Sequence, residues 1–157
     1  MFPRGERVHS PGSDTNIMLN QTNSSTHMQR IFLVEDSPII RESLVEALSS
    51  VDDGREVIGI AETEDDAFQG IASTPADVAI IDINLRQGSG IGLLARLSQL
   101  AYAPPTRIVY TNHYSRRVAA HCAELGATHV LSKAGELSEL LEVLEHPVDD
   151  GCFRKPN

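Results

Sequence analysis

Tryptophan is absent from this chain of 157 residues, and aromatic side chains make up only 4% of it. An interior dominated by large rings is therefore excluded, and an aliphatic core of Ile, Leu, Val and Ala is expected. Long apolar runs are missing as well. None approaches the roughly 18 residues that a membrane-crossing helix requires, so membrane insertion is not expected. The first thirty residues lack the apolar stretch of a secretory signal. Cysteine is scarce, and Cys122 and Cys152 are too few and too differently placed for a disulfide framework or a zinc site. A reduced, cytoplasmic setting is the simplest expectation. Basic residues are in the minority: 13 Lys and Arg against 22 Asp and Glu leave a formal net charge of −9. They are scattered, whereas contact with nucleic acid needs clustered cations to neutralise phosphates. Direct nucleic-acid binding is not expected. Most of the acidity reads as solvated surface, although a few acids occupy places that solubility does not explain.

What is present is a rhythm of short apolar runs and amphipathic stretches. Residues 1–28 are rich in Ser, Thr, Asn, Gly and Pro, show no hydrophobic period, and read as a flexible leader. Ile31–Val34, Glu56–Ile60, Val78–Ile81, Ile108–Tyr110 and His129–Ser132 are short runs suited to buried strands. Between and after them lie helical patterns. Pro38–Leu48 has Ser37 placed as N-cap and Pro38 at the first helical position. Asp65–Ala72 follows the second run. A Gly-Ser-Gly loop leads into a helix carrying Ile91, Leu93, Leu94, Leu97 and Leu100. Arg116–Leu125 is closed by Gly126 as a C-cap, and Glu136–Leu144 is the last. Residues 147–157 read as a tail. Five strands alternating with five helices over 29–146 predict an α/β fold: a doubly wound, parallel five-stranded sheet, with no second domain expected.

In such sheets ligands bind beyond the C-terminal ends of the strands. Glu35 and Asp36 follow the first strand, Asp82 the third, Thr111 ends the fourth, and Lys133 follows the fifth. Three carboxylates, a hydroxyl and an ammonium thus converge on one edge. Two like unit charges at 4 Å repel by roughly 4 kcal/mol at an effective dielectric near 20, so crowded acids call for a cation. All-oxygen donors with room for water favour magnesium over zinc. Lys133 is a counter-charge and a phosphate donor, Thr111 can donate to a phosphoryl oxygen, and Asp82 can act as a carboxylate nucleophile. Each residue has a plainer reading: Asp36 as a helix cap, Asp82 as a loop acid, Lys133 as a solvated cap, Thr111 as a β-branched strand residue. Together they favour function.

At these residues a resemblance becomes specific. "IFLVEDSPIIRESLVEAL", "DVAIIDINLRQGSGIGLL", "RIVYTNHY" and "GATHVLSK" resemble, in order, four segments of response-regulator receiver domains of two-component signalling. The likeness spans about 29–145. It implies a flavodoxin-like sheet of order 2-1-3-4-5, with Asp82 as phosphoacceptor and Thr111 and Lys133 contacting the phosphoryl group. It also implies a magnesium site made by Glu35, Asp36, Asp82 and the backbone carbonyl of Asn84. Asn84 and His113, two residues beyond Asp82 and Thr111, could tune phosphoryl lifetime, or equally be solvated loop residues. The chain departs from the family at four points: Arg86 stands for a frequent Pro and predicts a looser loop after Asp82. Asn112 replaces a small residue, Val130 the usual switch aromatic, and Ala134 a frequent Pro.

The implied function is that of a single-domain response regulator, phosphorylated by a histidine kinase or phosphotransfer protein and read by another protein or by a phosphorelay. It is no enzyme beyond self-catalysed phosphotransfer and autodephosphorylation. The alternative is a receiver-like, phosphate-independent protein-binding module. A true enzyme fits poorly. A phosphohydrolase would want a second acid where Asn84 stands, a flavin carrier would not place acids after its first strand, and no Walker loop is present.

Overall fold

The computed structural model of the chain describes residues 27–49 and 52–146. Ten elements alternate: β1 (Gln29–Val34), α1 (Pro38–Leu48), β2 (Arg55–Ala61), α2 (Glu64–Ser73), β3 (Val78–Ile81), α3 (Gly90–Leu97), β4 (Thr106–Thr111), α4 (Arg116–Glu124), β5 (His129–Ser132) and α5 (Leu137–Glu145). Every strand pair is parallel, and the order is β2-β1-β3-β4-β5, as expected. The leader lies outside the described residues except for His27 and Met28, and the tail over 147–157 lies wholly outside them.

Strand alternation sorts the interior into two layers. On one face Phe32, Val34, Ala79, Ile81 and Val109 meet Ala67, Ile71, Leu93, Leu94, Leu97 and Cys122 from α2, α3 and α4. On the other, Ile31, Leu33, Val78, Ile80, Ile108 and Tyr110 meet Leu44 and Leu48 of α1 and Leu140 and Leu144 of α5. The core is largely aliphatic, with two buried aromatic residues, Phe32 and Tyr110, among the described residues. Phe32 is accommodated by absent side chains: a Cβ on Gly59 or Gly70 would stand 2.4 or 2.5 Å from its ring. Cys122 is fully buried, a small apolar filler. Arg116 and Arg117 are exposed at the start of α4.

Both ends of α2 and of α5 lie one residue from the expected bounds, and three other helix ends differ in their local structure. Ser37 does occupy the N-cap of α1, but its side chain makes no capping bond; its N–H instead donates to Glu35 Oε1 at 3.1 Å. The third helix ends at Leu97, short of Leu100. Its last turn tightens into three-residue bonds, Gln99 N–H to Arg96 O and Leu100 N–H to Leu97 O, both 3.1 Å. Leu100 still packs against the core from that turn, which is why its apolarity suggested helix. In α4 the cap is Leu125, and Gly126 follows it at φ +102°. Gly126 N–H bonds Ala123 O at 3.1 Å and Ala127 N–H bonds Cys122 O at 2.9 Å, the Schellman pattern that a left-handed glycine allows.

Candidate functional site

The C-terminal edge of the sheet brings the predicted acids together because β1 and β3 are neighbours in register. Val34 pairs with Ile81, so the residues that follow them emerge side by side. One carboxylate oxygen each from Glu35, Asp36 and Asp82 lies within 4.8 Å of the others. Glu35 is 2% exposed and Asp82 8% exposed. Lys133, delivered by the end of β5, inserts its ammonium between them. Its Nζ donates to Glu35 Oε2 at 2.5 Å and to Asp82 Oδ2 at 2.9 Å.

The charges are unequal: one ammonium faces three carboxylates. Burial pushes the Glu35 carboxyl above the usual carboxylate range, partly offset by Lys133 and the Ser37 N–H. Burial disfavours the Lys133 ammonium too, but its bonds to Glu35 and Asp82 outweigh that and hold it above the ordinary lysine value. The remaining excess of hard oxygen donors fits a divalent cation of the magnesium type.

Thr111 is fully buried at the end of β4, next to β3. Its Oγ1 accepts from His113 N–H at 3.1 Å, and its carbonyl accepts from Lys133 N–H at 2.9 Å. Asn84 is exposed in the loop after β3, where it forms a bridge pair with Ser89. Among the described residues no hydrogen bond joins Thr111 or Asn84 to the acids. Gly90, the first residue of α3, backs onto the same loop: a Cβ there would stand 2.2 Å from the Asp82 carbonyl oxygen.

The loop after Asp82 is tied down rather than loosened by Arg86. Arg86 N–H donates to Glu62 O at 3.1 Å, and Glu64 N–H to Gln87 O at 3.0 Å. Ser89 N–H is held by Glu64 Oε2 at 3.0 Å. The Arg86 guanidinium pairs with Glu62 Oε2 at 3.1 Å, while Arg41 of α1 grips the other oxygen of Glu62. A proline at 86 would have no N–H to offer. Position 130 holds a partly buried Val packed in the core. The aromatic near Lys133 comes from β4 instead: Lys133 Nζ lies 6.0 Å from the Tyr110 ring centre. The peptide bond after Lys133 is trans. The Glu62 pairing and the approach of Tyr110 to Lys133 were missed from sequence because contacts between separate segments make no period or motif.

Residues 31–145 match the family model described as the response regulator receiver domain. Over 114 residues the chain is 32% identical to a protein of Pseudomonas aeruginosa named for a role in transcriptional regulation, covering 73% of this chain and 54% of that protein. It is 30% identical over 109 residues to protein-glutamate methylesterase/protein-glutamine glutaminase 5 of Myxococcus xanthus, covering 69% of this chain and 31% of that one. The chain thus spans about half and about a third of the length of these relatives. A LuxR-family two-component response regulator from Aurantimonas is similar in structure, with TM-score 0.66, 26% identity, and coverage of 74% of this chain and 81% of that one. A family model spanning most of the chain, set on a parallel sheet whose edge gathers three acids and a lysine, leaves one conclusion: the chain belongs to the response regulator receiver domains of two-component signalling.

Proposed function

We propose that this receiver domain accepts a phosphoryl group on Asp82 and that Glu35, Asp36, Asp82 and the carbonyl of Asn84 hold the magnesium ion the reaction needs. The observation that carries the reading is the shared ammonium of Lys133, which spans Glu35 and Asp82 within a closed group of acids. When bound, the ion offsets the carboxylates and the charge of the incoming phosphoryl oxygens. The side chains do the rest. A carboxylate oxygen of Asp82 attacks phosphorus; the O–P bond forms as the P–N bond of a donor phosphohistidine breaks. Lys133 exchanges its Asp82 contact for a phosphoryl oxygen, and the Thr111 hydroxyl donates to another. Hydrolysis of the acyl phosphate returns inorganic phosphate and the free carboxylate.

The donor is a histidine kinase or phosphotransfer protein. The output is contact with another protein, or onward phosphorelay, from a cytoplasmic chain that makes no direct contact with nucleic acid. Among the described residues no helix is long and apolar enough to cross a membrane. A phosphate-independent binding module is the second reading, favoured by Asn112, Val130 and Ala134, which stand where the family usually has other residues. Incubation with acetyl phosphate and magnesium, followed by intact-mass spectrometry, separates the two. A gain of about 80 Da, the mass of HPO3, that is absent without magnesium and in Asp82→Ala is expected. No gain there, nor with kinase as donor, would leave the binding module.

A further inference from the structure

The proposed metal ligands come from two separate segments. Glu35 and Asp36 lie between β1 and α1, whereas Asp82 and Asn84 lie between β3 and α3. Strand register sets the two loops side by side, but beyond the strand ends their relative placement depends on side-chain contacts. Glu62, at the start of the segment joining β2 to α2, belongs to neither and contributes no ligand, yet it is linked to both, to the first through Arg41 of α1 and to the second directly. Its carboxylate is held by Arg41, whose Nη1 also reaches the Glu35 carbonyl oxygen at 3.5 Å. The other carboxylate oxygen takes the Arg86 guanidinium at 3.1 Å, and the Glu62 carbonyl accepts the Arg86 N–H at 3.1 Å. One residue therefore offers three acceptors to donors that flank both halves of the site.

Resting on the reading above, we propose that Glu62 is a positioning residue. With Arg41 and Arg86 it forms a clasp that sets the separation of the two ligand-bearing loops and so pre-organises the cation site. The clasp makes a prediction opposite in sign to plain electrostatics. Arg86 is a cation near a site for a dication, so its removal should tighten magnesium binding through charge alone. If Arg86 instead holds the loop in place, its removal weakens binding.

The test is calorimetric titration of the whole chain with magnesium chloride, comparing wild type, Arg86→Ala, Arg86→Lys, Glu62→Gln and the double variant Arg86→Ala/Glu62→Gln. The Arg86 side chain is 67% exposed, so its replacement leaves the fold intact, and metal-free unfolding midpoints should coincide. The expected result is a dissociation constant for Arg86→Ala about two- to fivefold above wild type, the range a partly exposed ion pair supplies. Arg86→Lys should return to near wild type. The double variant should be no weaker than Glu62→Gln alone, as coupled partners require. Binding by Arg86→Ala that equals or exceeds wild type would overturn the clasp while leaving the phosphoacceptor reading standing. A wild type that binds no magnesium at all would remove that reading, and the clasp with it.

Discussion

Half-buried His129 sits at the start of β5, its Nδ1 3.0 Å from Thr128 Oγ1. Burial lowers its pKa below the ordinary 6.5. The unfolded chain then binds more protons than the folded one in the window just below 6.5. Stability from this residue is fully present above that pH and is lost as pH falls through the depressed value. His129→Gln keeps a polar side chain without the titration. Urea midpoints of the variant should therefore fall less than wild type between pH 7 and pH 5; parallel curves would show that His129 is not the group involved. Single residues were also where the sequence spoke most clearly about the site. Glu35, Asp36, Asp82 and Lys133 were named from strand ends alone, and the structure gathers them. Their contacts were less readable: no pattern says that Lys133 bonds two acids at once, or that the Ser37 N–H donates to Glu35 while its side chain makes no cap.

The elements themselves were legible because four of the five strands centre on short runs of Ile, Val, Leu and Ala, and a two-residue alternation then assigns each to a face. Ends were harder. The α3 pattern ran on to Leu100 because burial outside a helix needs an apolar residue just as burial inside one does. At α4 the glycine was found but the cap was placed one position late, since a cap and the residue after it look alike in one dimension. That glycine has a measurable role. An alanine at φ +102° carries a steric cost of about 1–2 kcal/mol, while the space beside Gly126 is open enough, with Arg107 atoms no nearer than 3.6 Å. Gly126→Ala should therefore lower stability by about that amount through the backbone alone, seen as a lower urea midpoint with an unchanged slope. Gly126→Asn, which tolerates the left-handed region better, should lose less. The loop clasp lay beyond sequence reasoning for a physical reason: ion pairs between loops depend on where three chain segments meet.

Across the whole molecule, Lys133 joins the ends of β1, β3 and β5, so one side chain closes a site that spans most of the sheet. Lys133→Met should remove about 3 kcal/mol of metal-free stability at pH 7, the lower end for breaking a buried pair, because Asp82 retains some solvent contact. The raised Glu35 carboxyl gives this a pH signature. A folded-state carboxyl pKa above its unfolded value costs stability as pH rises, so the deficit should shrink as the solution is acidified toward the carboxylate range. A deficit that ignores pH would mean lost packing rather than lost charge. The same lysine has a temporal consequence. It lies 98 residues after Glu35 in the chain, and synthesis proceeds at about 5–20 residues per second. For several seconds after its acids leave the ribosome, the nascent protein has no ammonium with which to neutralise them. The sheet can collect its strands one by one, but its charged end can close only when the fifth has arrived and brought Lys133 with it.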